Sequence, residues 1–462
     1  MILLVRKLFS SYSLLVRVLF FTLLFGVLSF GRAFSIIHIE AHSLPIFVTE
    51  IVLLISLPLI ISNGRELLKI PPLCLNISLV YFVFGFFYLL GGVLDKNLFA
   101  LRDFAALCGY MLFFPLAFIS SDSLKHIKLF LFIIVFANLI AIAMGTMLFF
   151  GAYPSWLYGF ISKAKIFQIG IVYGISSAFL LVFYNYLKNK ALRLLILLLV
   201  AINLYMLIIF GVRSLWVAVI CLAVFLMLIS GFRVMVKAYS KLLVSFLLIS
   251  PVLFYINFAV FKSSHLDVLI GRGKSFTNAL SGWNKLVSGK TFILYPRDGA
   301  ALRDESERSG FNDIVWREKI WRQTIEFTSG AYLFGRGLGH YPTYDVEGYQ
   351  KPRSAFTDSN IIPVHNYFLT IFYKLGFLGL ALFLFINIYI FYYAIRYLKK
   401  CNSGFIKLVL IGALGALVFW HAMALFFDVI DSPPTSIFLW VFIGLIFSAV
   451  EIDRCQKSEF AV

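Results

Sequence analysis

A chain of 462 residues that is 61% hydrophobic and only 13% charged cannot present the polar surface of a water-soluble domain. Its formal charge of +18 lies mostly in short basic connections between apolar runs, a pattern of anchoring to anionic headgroups, and no nucleic-acid motif accompanies it. The composition specifies a polytopic membrane protein.

Apolar runs near the ~20 residues that cross a bilayer fall at about 13–31, 45–62, 72–93, 104–121, 127–150, 167–187, 192–211, 214–233, 240–261, 366–395, 406–427 and 433–450. They predict about twelve transmembrane helices. The first is flanked by Arg6 and Lys7 but lacks a clear small-residue cleavage site, so it reads as a retained span. With the N-terminus inside, connections carrying residues such as Lys69, Lys125, Lys190, Arg233 and Lys399 face the cytoplasm, and their basic residues outnumber those of the short outer connections by roughly three to one. The chain then divides into 1–261 with nine spans, a long outer loop at 262–364, and 365–462 with three spans and a cytoplasmic tail. Cys74, Cys108, Cys221, Cys401 and Cys455 all fall within predicted spans or on the cytoplasmic side, so neither a disulfide framework nor a zinc site is expected.

The outer loop has nearly balanced charge and should fold at least in part. Residues 313–329 read as an amphipathic helix: Trp316, Ile320, Thr324 and Phe327 recur at helical spacing, with Arg317 and Trp321 four apart on a neighbouring strip. Gly335-Arg336-Gly337-Leu338-Gly339 ends it. No strand precedes these glycines and their spacing is wrong for a dinucleotide fingerprint. A tight turn that brings backbone close to a substrate or to the membrane surface is the expectation.

Arg102, Arg213, Arg317, Arg336 and His365 converge on the outer face in this topology, and arginine's planar fork of donors suits a phosphorylated ligand. Arg213 follows Phe210-Gly211-Val212 in a very tight connection, where it serves equally as an interfacial anchor whose side chain snorkels to water. His365 opens the tenth helix, where the dipole disfavours positive charge; a neutral imidazole there can accept a proton from a sugar hydroxyl. Asn366 either orients it or caps the helix. From His365 to Gly376 is about three turns, which places the imidazole, Gly376 and Gly379 on one face, the glycines admitting another helix or a lipid chain. Glu50, Lys374 and His421 lie inside spans and should face the bundle interior or a wet cavity, Lys374 reaching toward a lipid-linked phosphate. Asp428 and Asp431, beside Pro433-Pro434, are better placed to cap a connection than to bind a metal.

His365-Asn366-x9-Gly376-x2-Gly379, Gly211-Val212-Arg213-Ser214, and Arg317-x3-Trp321 followed by Leu333-Phe334-Gly335-Arg336-Gly337-Leu338-Gly339, in this order around one long outer loop, resemble the O-antigen ligase and O-antigen polymerase superfamily of bacterial membrane glycosyltransferases. The ligase branch is the closer likeness. The resemblance implies an all-α, GT-C-like polytopic protein in the bacterial inner membrane with its active site facing the periplasm. It implies inverting transfer from an undecaprenyl-diphosphate-linked glycan, with no nucleotide or metal cofactor. His365 would be the general base, and Arg213 and Arg317 would bind the diphosphate. Arg102, Arg336 and Lys374 would assist, with Asn366, Gly376 and Gly379 lining the substrate site. The acceptor would be lipid A-core, or another lipid-linked repeat if the chain is a polymerase; membrane lipids are the remaining partners. A lipid-linked sugar flippase or transporter also commonly has twelve spans, but such proteins show repeated halves and midplane polar sites, and no repeat is evident here.

Overall fold

The computed structural model describes residues 2–41, 44–150, 166–210, 212–261, 317–342, 344, 364–427 and 433–459. Its helices are α1 (Ile2–Phe30), α2 (Arg32–Ser35), α3 (Val48–Ser62), α4 (Gly64–Leu67), α5 (Pro72–Leu94), α6 (Phe99–Leu107), α7 (Phe113–Ser120), α8 (Leu124–Phe150), α9 (Ile166–Tyr186), α10 (Lys190–Phe210), α11 (Arg213–Ser230), α12 (Phe232–Phe261), α13 (317–327), α14 (Tyr367–Leu398), α15 (Gly404–Ala424) and α16 (Pro433–Glu459). Among the described residues, eleven helical segments are long and apolar enough to cross a membrane, with α6 and α7 together forming one of them. A span in lipid must have its backbone hydrogen bonds satisfied by protein, and helical segments do this almost wholly from within. The fold is all-α, with one small hairpin among the described residues.

That hairpin corrects the expected second span. Strands β1 (His38–Ala41) and β2 (Leu44–Phe47) pair antiparallel, with His38 opposite Phe47, and α3 follows with 15 residues. Fifteen residues rise only about 22 Å, short of the ~30 Å hydrocarbon core. Hydropathy over 45–62 merged an apolar strand with a short helix. The Glu50 carboxylate joins the two elements, accepting from Phe47 N–H at 2.6 Å and from the Tyr110 hydroxyl at 2.7 Å. The expected span at 104–121 starts earlier and is broken. Pro115 of α7 has no N–H to return to the Met111 carbonyl, and a 3₁₀ turn over Gly109–Leu112 separates α6 from α7.

Helices α9 and α16 are almost wholly enclosed, whereas α12 is the outermost span. Helix α14 packs on α5 along one side and on α15 along another, and α11 packs on α15. The joint of α14, α15 and α16 is aromatic: Tyr367 meets Phe383 and Trp420 edge to face with centroids 5.5 and 5.4 Å apart, and Phe383 meets Trp440 at 6.3 Å. Gly444 lets α16 lie against α7, where a Cβ would stand 2.5 Å from the Phe114 carbonyl oxygen. At the other end of α14 the Asp453 carboxylate of α16 accepts from the Tyr397 hydroxyl at 2.6 Å and pairs with Lys457 at 2.8 Å.

Candidate active site

Helix α14 is interrupted at Gly376, where φ is 70° and ψ −170°. A break in a helix strands carbonyls on one side and N–H groups on the other. The stretch after α13 supplies both sets of partners. Arg336 and Gly337 donate their N–H groups to the Tyr373 and Lys374 carbonyls at 2.7 and 2.9 Å, while the Tyr332 and Leu333 carbonyls accept from Phe377 and Leu378 at 2.7 and 3.1 Å. Contact this close excludes side chains: a Cβ on Gly335 would lie 2.4 Å from Gly376 N, and one on Gly376 would lie 2.4 Å from the Leu333 oxygen. The glycine run is the expected tight turn with close backbone approach, and the backbone it meets is that of the broken α14, whose break it completes as a wedge. Gly376 accordingly admits this loop and not another helix. Gly379 makes room for Leu375 of its own helix, whose Cβ a new methyl would meet at 2.3 Å.

Asp103 fixes the other edge of the wedge. Its carboxylate is fully buried and pairs with Lys374 Nζ at 2.5 Å, while accepting from Gly339 N–H and the Tyr341 hydroxyl, each at 2.6 Å. Lys374 also donates to the His340 carbonyl at 2.8 Å and lies 3.8 Å from the centroid of the Tyr341 ring. Its amine is thus engaged with internal partners, which fits a positioning group better than a phosphate ligand. Arg336 is exposed but engaged: Nε and Nη2 bind the Phe327 and Ser329 carbonyls at 2.6 and 2.7 Å, capping the C-terminal end of α13, where a cation complements the dipole.

His365 precedes α14 and is not part of it. Its φ of 54° is left-handed, one of two such non-glycine residues among those described. The expected shared face with Gly376 and Gly379 therefore does not exist. Asn366 is the N-cap, its Oδ1 accepting from Leu369 N–H at 3.0 Å. On the other side Trp321 Nε1 donates to the Val364 carbonyl at 2.9 Å, so α13 holds the residue before His365. Arg317 lies one turn before Trp321 on the same strip of α13 and is half-buried. Ile320 and Thr324 are buried as expected, joined by Thr328, while Phe327 stays more open; 313–316, with Trp316, lie outside the described residues.

Arg213 stands apart from this interlock, as the first residue of α11 after the N-cap Val212. The positive end of that helix's dipole favours an anion beside the guanidinium. Leu215 of α11 lies beside Gly170 of α9, close to the Phe167–Phe427 stack, and Tyr367 of α14 meets Trp420, so the starts of α11 and α14 both lie toward the C-terminal end of α15. Arg102 sits on α6 next to Asp103, within electrostatic reach of Tyr110. His421 is a core histidine, its Nδ1 2.7 Å from the Leu417 carbonyl and its ring against Trp420. Asp428 and Asp431 lie outside the described residues. Asp103 was the residue missed from the sequence, and its signal was an acid just inside the outer end of an apolar run that also needed a partner for Lys374.

Residues 196–384 match the family model described as O-antigen ligase. Over this segment the chain is similar to the O-antigen ligase family. The matched segment runs from α10 through the break in α14, and so contains Arg213, Arg317, Trp321, Arg336, His365, Asn366, Lys374, Gly376 and Gly379. Asp103 and Arg102 fall outside it, although Asp103 binds Gly339 of the wedge and Lys374, both inside the matched segment. No curated protein matches the chain.

Proposed function

We propose that this protein transfers a glycan from an undecaprenyl-diphosphate carrier to a sugar hydroxyl of lipid A-core, at the periplasmic face of the bacterial inner membrane. The observation that carries the reading is the setting of His365, held in a left-handed conformation between the Trp321–Val364 hydrogen bond and the Asn366 cap. Non-glycine residues retain such strain where surrounding contacts enforce it, and those places cluster at sites of chemistry. In this reading the imidazole takes the proton from the acceptor hydroxyl as its oxygen attacks the anomeric carbon. The bond from that carbon to the diphosphate breaks with inversion, and the leaving oxygen keeps the electron pair. Arg213 and Arg317 meet the developing charge. A diphosphate stabilised in this way departs without a general acid, and the proposal needs no divalent ion.

The test is transfer by purified protein in liposomes carrying lipid-linked oligosaccharide and lipid A-core. The intact protein is expected to join the two, and His365→Ala to insert normally while losing nearly all transfer. Normal turnover by a well-inserted His365→Ala protein would sink the assignment.

A further inference from the structure

Independently of that reaction, we propose that Tyr332, Leu333 and Phe334 dip into the leaflet opposite the basic connections, so that the α13 segment is anchored among lipid acyl chains. These three consecutive apolar residues are 48%, 54% and 54% exposed. Their place in the fold identifies what covers them. The Tyr332 and Leu333 carbonyls are bonded to Phe377 and Leu378 of α14, and Phe377 is itself 61% exposed on a membrane-spanning helix. The Tyr332 ring stacks on Phe372 with centroids 6.1 Å apart. The Phe334 carbonyl takes the Tyr88 hydroxyl of α5, which lies about 9 Å along that helix from its end at Leu94. The triplet is thus continuous with the lipid-facing surface and lies below the end of a neighbouring span. Interfacial segments bury their apolar side by about 5–10 Å.

The carbonyl side of the backbone is suited to this. Non-helical chain at membrane depth is tolerated only when its polar groups are satisfied by protein. All three carbonyls of the triplet are satisfied, by Phe377, Leu378 and Tyr88. Polar character returns at once on both sides, with Ser329 before the tip and Arg336 after it.

The experiment places an environment-sensitive fluorophore at Leu333→Cys or Phe334→Cys in the full chain, with Cys221, Cys401 and Cys455 replaced by serine. Phe385→Cys on the lipid face of α14 and Arg322→Cys on α13 serve as references. In proteoliposomes the 333 and 334 probes are expected to be quenched by doxyl-labelled phospholipid comparably to the 385 probe, and by aqueous iodide far less than the 322 probe. Iodide access equal to that at 322 overturns the proposal. So does protection from both quenchers, which would place a second protein surface over the tip. A label-free measurement stands beside it: Leu333→Asp with Phe334→Asp keeps the backbone bonds but sets charge against lipid, and is expected to raise proteolytic cleavage within 317–342 several-fold. An unchanged cleavage rate also overturns the proposal.

Discussion

A left-handed backbone costs a non-glycine residue about 1 kcal/mol or more, and His365 bears that cost at the mouth of α14. Glycine adopts the same conformation freely, so His365→Gly separates side-chain chemistry from backbone fit. The variant is expected to melt at the same temperature as the parent or slightly above it, and to transfer no glycan. A large loss of thermal stability would show that the imidazole holds the fold together, and retained transfer would remove it from the chemistry. Arg213 invites a different substitution, because its proposed task depends on shape as well as charge. Arg213→Lys keeps a cation at the start of α11 but loses the planar fork that engages two phosphate oxygens at once. Donor binding and transfer are expected to fall nearly as far as in Arg213→Ala. Full activity with lysine would mean that a point charge suffices.

At the level of elements, the wedge joins three parts of the chain far apart in sequence: the start of α6, the stretch after α13 and the break in α14. Asp103 and Lys374, paired with each other, hold its 339–341 edge together. Removing one member of such a buried pair leaves the other charge uncompensated, at a cost of about 3–5 kcal/mol. Asp103→Asn and Lys374→Met are each expected to lower the melting temperature sharply in detergent, and the double variant to fall well short of their sum. Additive losses would show that the two side chains do not act as a pair. The break itself was hidden from sequence, because the apolar run continues on both sides of Lys374 and Gly376 and Gly335, its partner, lies far upstream. Asp103 was legible in principle, since a lysine inside a span calls for an acid at the same depth. The helix carrying Arg317 and Trp321 could be read from its periodicity, but the bond from Trp321 to Val364 could not, because a carbonyl partner leaves no trace in side-chain pattern.

Over the whole molecule, hydropathy located nearly every span, since each must be apolar enough to cross lipid whatever it packs against. It failed at 45–62, where Pro45, Ile46 and Phe47 are as apolar as a span yet belong to a strand. What hydropathy cannot carry is the identity of the acceptor, and neither can the proposed donor site. A ligase and a polymerase would both hold a lipid-linked diphosphate near Arg213 and Arg317, so variants of those residues fail alike under either reading. The difference lies in what reaches His365 from the other side. Given lipid-linked oligosaccharide alone, a polymerase has both donor and acceptor and builds a ladder of longer lipid-linked chains. A ligase has only a donor, and is expected to stay idle until lipid A-core is added and then to join the glycan to it. The second outcome is expected here. A ladder formed without lipid A-core would overturn the acceptor assignment while leaving the roles of His365, Arg213 and Arg317 in place, because the same proton transfer and the same leaving group serve both reactions.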